Sequence, residues 1–195
     1  MLKVLVIDEI RERALEICEA LTRAGHMVAA VLPDALALHE RVQQLQPDVL
    51  LIHTDSPSRD TLENLAALDR NLPRPVLMFA GDDDDDVIRR ALRAGVSSYV
   101  VDGLSPERLA PLLKTATASF EAFQTVRRER DEAQRKLSER VLVERAKGLL
   151  MKSRHMSEDE AYHALRKMAM ERGRRIHDVA EQLIAAADLL LGENS

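Results

Sequence analysis

The sequence predicts an α/β domain with a parallel sheet, followed by one long helix and a small all-helical module. Through residue 115, short β-branched and aliphatic runs alternate five times with amphipathic stretches, a pattern typical of a doubly wound five-stranded sheet. From about residue 105 to 153 the only strong helix breaker is Pro111. We therefore predict an α/β domain over 1–115, a linker helix with coiled-coil character over 116–140, and a three-helix module over 141–195.

The five predicted strands are short and apolar, as expected for strands buried on both faces of a sheet. They cover residues 4–7, 27–31, 49–52, 76–79 and 98–101. Helices are predicted over 11–24, with Gly25 placed to end it, and over 34–45. Sheets of this kind collect functional side chains at the carboxyl edge of their strands. That edge is predicted to hold Asp8, Glu9, His53, Asp55, Ala80 and Asp102.

Composition favours a soluble, cytoplasmic protein. Hydrophobic residues make up 46% and charged residues 31% of the chain, enough for a real apolar core. Cys18 is the only cysteine, so no intrachain disulfide can form, which suits a reducing compartment. The first apolar run stops at Asp8 and Glu9, too short for a signal peptide or a membrane span. We expect no membrane contact and no cofactor.

Five consecutive aspartates, residues 82–86, follow the fourth predicted strand. A metal site is conceivable there, but the spacing of a calcium loop is missing. We favour a solvated loop whose last members cap a helix that begins near Val87.

The long helix carries a thin apolar seam, interrupted by the charged segment 127–132. A seam of this kind predicts a short coiled coil and hence a homodimer. The alternative is a solvated linker helix that packs on its own α/β domain. The seam residues are Phe120, Phe123, Val126, Ala133, Leu137 and Val141.

The last module begins with a capping box. Ser157 and Glu160 have the required spacing, so a helix is predicted from Glu158 to a stop at Gly173. A second amphipathic helix follows it. The predicted inner faces consist of Ala161, Ala164, Leu165, Met168 and Ala169, and of Ile176, Val179, Ala180, Leu183, Ile184 and Ala187.

The first domain resembles the response-regulator receiver family. The matching features are the acidic pair Asp8-Glu9, the run 47–52, Ser56-Pro57, and the segments 75–78 and 94–99. The resemblance implies a Mg²⁺ site at the acidic pair, a phosphoryl-accepting aspartate ending strand three, and a hydroxyl and a lysine ending strands four and five. The residues at those last three positions are His53, Ala80 and Asp102.

These replacements remove the chemistry of phosphorylation. Without a carboxylate at position 53 no acyl phosphate forms, and the cation site loses an oxygen ligand. Asp55 as a displaced acceptor is a weaker alternative. His53 is interpreted as a filler paired with a carboxylate such as Asp8, in preference to a phosphoryl acceptor or metal ligand. We expect no bound metal and control by a partner protein.

The C-terminal module resembles the ANTAR family through segments 144–151 and 157–162, Leu165-Arg166, Ala169-Met170 and Val179-Ala180. That resemblance implies a transcription antiterminator that binds stem-loops in leader RNA. Segments 56–60 and 99–103 are further similar to NasT-type nitrate-assimilation antiterminators. For that group, the implied partner is a nitrate or nitrite sensor protein.

Charge agrees with an RNA partner for this module. The chain has a formal net charge of -5, but residues 145–177 carry nine basic and four acidic residues, which favours contact with a polyanion. A DNA-binding regulator and a protein-interaction module are the alternatives, and an enzyme is least favoured. The candidate RNA contacts are Arg145, Lys147, Lys152, Tyr162, Arg166, Lys167, Arg172, Arg174 and Arg175.

Overall fold

A computed structural model describes residues 1–101 and 106–192 of the chain. It divides into two compact units, Met1–Thr125 and Val126–Ser195. Each unit has its own apolar core.

The first unit is built on a five-stranded parallel sheet with strand order β2-β1-β3-β4-β5. This order confirms the predicted fold class. The strands, numbered in chain order, are β1 Lys3–Asp8, β2 Met27–Leu32, β3 Val49–Thr54, β4 Val76–Ala80 and β5 Ser98–Val101.

Four helices lie between the strands, and a fifth starts in this unit and continues into the second. The first four are α1 Arg11–Arg23, α2 Leu38–Leu45, α3 Arg59–Asn71 and α4 Asp85–Arg93. Helix α5 spans Pro106–Arg154 without interruption, so Pro111 is accommodated one turn inside it.

The sheet has an apolar layer on each face, because successive strand side chains point to opposite sides. One layer joins Leu5, Ile7, Leu50, Ile52 and Met78 to side chains of α2 and α3. The other joins Val4, Val6, Leu51 and Phe79 to α1 and to the start of α5. Leu109, Leu113 and Ala116 on α5 are fully buried in that second layer. Burying a side chain of leucine size contributes about 2 kcal/mol, so the layers fix the strand ends that form the candidate site.

Two predicted helix starts differ from the structure. The helix predicted over 34–45 begins only at Leu38, because the Asp34 carboxylate accepts the Leu36 N–H at 2.9 Å and holds a turn instead. Helix α4 begins at Asp85, two residues before Val87, because the Asp84 carboxylate caps it. The expected capping role of the aspartate run is thereby confirmed for Asp84.

The second unit contains the end of α5 with α6, Glu158–Arg172, and α7, Ile176–Gly192. The capping box of Ser157 and Glu160 is present, and Gly173 ends α6 in the left-handed conformation with φ of 59°. The core confirms the predicted inner faces of α6 and α7 except for Ala187, which lies outside the core cluster, and adds Ala146 and Leu150 from α5.

Within residues 1–101 and 106–192, no helix is both long and apolar enough to cross a bilayer.

Candidate functional site

The carboxyl ends of β1, β3 and β4 bring together most of the residues that the sequence places at the phosphorylation site. Asp8 pairs in register with His53, and Thr54 pairs with Ala80. Asp8 is only 3% exposed, so its charge requires a partner inside the fold. The position predicted to matter on strand five, Asp102, lies outside the described residues.

Arg13, on the first turns of α1, supplies that partner. Its Nε donates to Asp8 Oδ2 at 2.8 Å and its second terminal nitrogen donates to Asp8 Oδ1 at 2.9 Å. Its remaining terminal nitrogen reaches Asp55 Oδ1 at 3.3 Å. These contacts, led by the hydrogen bonds from Arg13 to Asp8, raise the pKa of the guanidinium. Arg13 therefore links the ends of β1 and β3 through a two-pronged ion pair.

His53 lies beside this ion pair without completing it. Its Nδ1 is 3.3 Å from Asp8 Oδ2, but that nitrogen has no hydrogen-bond partner among the described residues. Burial lowers the pKa of His53, and the charge of Arg13 lowers it further. Burial and Arg13 thus favour the neutral imidazole against the opposing effect of Asp8, and the ring packs at a tilt against Phe79, with the centroids 6.1 Å apart.

A divalent cation does not fit the donor set at this edge. Both oxygens of Asp8 already accept hydrogen bonds, from Arg13 and from the Ile10 N–H at 2.8 Å. Mg²⁺ prefers hard oxygen ligands in near-ideal octahedral geometry, and position 53 offers an imidazole. Ala80 is buried and apolar, so it offers no hydroxyl to a phosphoryl group.

In the second unit, Lys147 lies inside the fold instead of on its surface. Its side chain is only 9% exposed, and its Nζ is 2.7 Å from Glu158 Oε1 and 2.9 Å from Glu144 Oε2. The hydrogen bonds to Glu158 and Glu144 raise the pKa of Lys147. Since Glu158 opens α6, this lysine ties α5 to the start of that helix.

Other candidate RNA contacts differ in how free their charges are. Arg145 pairs with Asp188 at 3.1 Å, Lys167 pairs weakly with Glu171 at 3.9 Å, and Arg172 reaches Gln182 at 3.4 Å. Among the candidate RNA contacts, all of which lie in the described part of the chain, four exposed basic side chains have no ion pair. These are Lys152, Arg166, Arg174 and Arg175.

Helix α6 also presents rings and an apolar side chain to solvent. Tyr162 is 42% exposed, and its ring meets that of His163 edge-on at 6.3 Å. Met170, two turns after Tyr162, is 74% exposed. Arg166 lies between them at the i+4 position, so one helix face combines a cation with surfaces on which bases could stack.

The predicted seam of α5 is largely exposed within this chain. Phe123, Val126, Leu137 and Val141 are 65%, 63%, 57% and 57% exposed, and Ala133 is exposed as well. Phe120 is only partly exposed and lines a cavity with Leu92 and Phe123.

Sequence reasoning missed Arg13 and the two carboxylate partners of Lys147. A signal was present in both places. An acidic strand end that has lost its phosphorylation partners still needs a cation, and Arg13 lies in the next helix. Glu144 precedes Lys147 by three residues, a spacing that places both on one helix face.

Comparison with known families agrees with the geometry. The response regulator receiver domain model matches residues 4–114, and the ANTAR domain model matches residues 131–184. This chain belongs to the response regulator receiver family. The receiver match covers the sheet and its helices, while the ANTAR match covers most of the second unit.

Curated relatives differ in how much of the chain they share. The transcriptional regulatory protein PdtaR of Mycobacterium tuberculosis is 25% identical over 182 residues, which is 93% of this chain and 89% of the relative. A protein-glutamate methylesterase/protein-glutamine glutaminase of Thiobacillus denitrificans is 34% identical over 104 residues, only 51% of this chain and 29% of that enzyme. The likeness to the enzyme is thus limited to the receiver part and carries no activity to this chain.

Solved receiver structures show the same fold. The signal receiver domain of a modulated diguanylate cyclase from Desulfovibrio desulfuricans has a TM-score of 0.55 at 20% identity, covering 63% of this chain and 98% of that one. The response regulator domain of Thermotoga maritima CheB has a TM-score of 0.51 at 21% identity, covering 62% and 97%. At these identities the likeness concerns the fold of the receiver response regulator and nothing more.

Proposed function

We propose that this receiver–ANTAR regulator is a transcription antiterminator that binds stem-loops in leader RNA through its C-terminal module. In this proposal residues 1–115 receive the signal, 116–140 link and dimerise, and 141–195 bind RNA. The observation that carries the proposal is the set of exposed basic side chains on a module matched by the ANTAR family. Unpaired cations there are available to phosphates, and their attraction does not depend on sequence.

The proposed RNA surface follows exposure and pairing. Arg166, Arg174, Arg175 and Lys152 are its phosphate contacts, because no carboxylate in the described part of the chain occupies them. Tyr162 and His163 stack on unpaired loop bases. Arg145, Lys167 and Arg172 contribute after exchanging their present partners, and Lys147 acts by holding α5 to α6.

The test is a gel shift that compares leader-RNA hairpins from the neighbouring genes with duplex DNA of the same sequence. We expect the RNA to bind tightly at low salt and its affinity to fall steeply as salt increases. A preference for duplex DNA would support the DNA-binding alternative instead. Absence of binding to either nucleic acid at low salt would reject the proposal.

Control by a partner protein, in place of phosphorylation, is the second part of the proposal. His53 and Ala80 cannot accept or sense a phosphoryl group as a carboxylate and a hydroxyl do. The segments similar to NasT-type antiterminators favour nitrate assimilation as the regulated process and a nitrate or nitrite sensor in the cytoplasm as the partner. Acyl phosphate detected by mass spectrometry after acetyl phosphate treatment would contradict this part, and a pull-down with candidate sensors tests the partner.

Dimerisation through α5 is the third part. Its support is the row of exposed apolar side chains at roughly helical spacing, which a second copy would cover, although a strict heptad from Phe123 places Arg130 and Arg140 at inward positions. Leu137→Glu should convert a dimer to a monomer in light scattering. Ser138→Glu is the matched control, because it adds the same charge one position away from the seam. Equal masses for the wild type and Leu137→Glu would reject the seam.

A further inference from the structure

The carboxyl edge of β1 and β3 contains a built-in cation, Arg13. Asp8 is almost fully buried, and the guanidinium of Arg13 satisfies both of its oxygens. A third arm of the same guanidinium reaches Asp55 on the loop after β3. Planar, bidentate pairing of this kind gives geometric specificity as well as charge compensation.

We infer that Arg13 takes the place of the divalent cation at this strand edge, so that the pocket is held by an internal ion pair and does not bind Mg²⁺. Arg13 and the Ile10 N–H already occupy both oxygens of Asp8, and Arg13 also reaches Asp55. This inference rests on the proposed function and deepens its control without phosphorylation.

Charge balance supports the assignment. A divalent ion at Asp8 would lie within a few ångströms of the guanidinium, and two like charges at that distance repel strongly where water is scarce. The cation could enter only if Arg13 left Asp8, which would also release the contact to Asp55. The ends of β1 and β3 are thus joined by the side chain of Arg13. Because this cation is part of the protein, a change in metal concentration does not remove it.

The experiment measures thermal unfolding of the full chain in MgCl₂ and in NaCl of equal ionic strength. The wild type should have the same Tm in both salts. Arg13→Gln should have a lower Tm in NaCl and recover several degrees in MgCl₂, because Asp8, Glu9 and Asp55 are then free to bind the ion. Adding Asp8→Asn to Arg13→Gln should abolish the recovery.

Arg11→Gln is the matched control, since Arg11 is on the same helix, is exposed and has no partner among the described residues. It should leave the salt response of the wild type unchanged. A folded Arg13→Gln protein that ignores MgCl₂ would overturn the inference, as would a wild-type Tm raised by MgCl₂. If the variant does not fold, Mn²⁺ titration of the wild type by electron paramagnetic resonance decides: a bound ion that Asp8→Asn removes contradicts the inference. None of these readouts involves RNA, so they fail or succeed separately from antitermination.

Discussion

Arg13 in the receiver unit and Lys147 in the helical unit are both basic side chains held between two carboxylates, but their surroundings differ. Arg13 faces Asp8 and Asp55 beside His53, a ring whose pKa is lowered by burial and by Arg13. Lys147 faces Glu144 and Glu158, while other cations of its unit remain exposed.

The two ion pairs differ in which charged groups they leave available to a ligand. In the receiver unit, the pair uses the charges that a metal or phosphoryl group would need. In the helical unit, the pair fixes the start of α6 and leaves a separate basic surface for a polyanion. A count of charges along the sequence treats both lysine and arginine as free, whereas the structure separates charges that hold the fold from charges that face solvent.

The largest effect is expected at Asp8. Asp8→Ala removes the two buried carboxylate oxygens that accept from the partly buried Arg13 and leaves only the exposed Asp55 as its partner, which should lower the free energy of unfolding by about 3 kcal/mol. Urea unfolding followed by circular dichroism measures this loss. Asp55→Ala is the control, because its side chain is 84% exposed and the change should stay within about 0.5 kcal/mol. Equal losses for the two variants would show that the bidentate pair is not the main support.

The RNA affinities of two variants test which cations are free. Arg166→Ala should weaken hairpin binding by roughly tenfold, since a hydrogen bond to a charged group contributes about 1.5 kcal/mol. It should also reduce the slope of log K against log salt by about 0.7 to 0.9.

Lys147→Gln is the matched comparison, and a salt titration of both variants makes the measurement. Lys147→Gln should lower the thermal stability of the helical unit while leaving the salt slope of RNA binding unchanged. If Lys147→Gln reduced the slope as much as Arg166→Ala, Lys147 would be a phosphate contact and the division between structural and exposed cations would be wrong.

A smaller effect is expected at the cap of α6. Ser157→Ala removes the side chain that accepts the Glu160 N–H at 3.3 Å, which should lower the stability of the helical unit by about 1 kcal/mol. Calorimetry should show this change only in the transition of that unit. Ser58→Ala, at the cap of α3, should instead affect the receiver transition. A shift of both transitions by either variant would show that the units unfold together.

Most of the fold was predictable because it follows from local patterns. Alternating apolar runs gave five strands in the observed places, and the Ser157–Glu160 spacing gave the start of α6. The start of α2 was not predictable in the same way, because an Asp34 side chain that accepts its own backbone competes with a helix by a small free energy.

The candidate site was only partly predictable for a different reason. Strand ends place Asp8 and His53 side by side, and periodicity alone indicates that. Which cation neutralises Asp8 depends on the angle at which α1 leaves the sheet, and this is set by tertiary packing. The burial of Lys147 likewise depends on how α6 turns back onto α5. The sequence alone therefore predicted Lys147 and the exposed Arg166 equally as RNA contacts.

The smallest effect is the pH dependence of stability contributed by His53. Its pKa in the folded protein lies below the value near 6.5 that an unfolded chain has, because burial and Arg13 disfavour the imidazolium. As pH falls below about 6.5, the unfolded chain takes up a proton that the folded chain refuses, so the free energy of unfolding decreases until the lowered pKa is reached. His53→Asn should remove the contribution of His53 to this pH dependence and make the curve of stability against pH shallower in that window. The contribution of His26, whose pKa is also lowered by burial, should remain. Urea unfolding at a series of pH values measures both curves. Parallel curves for the wild type and His53→Asn would mean that folding does not lower the pKa of His53.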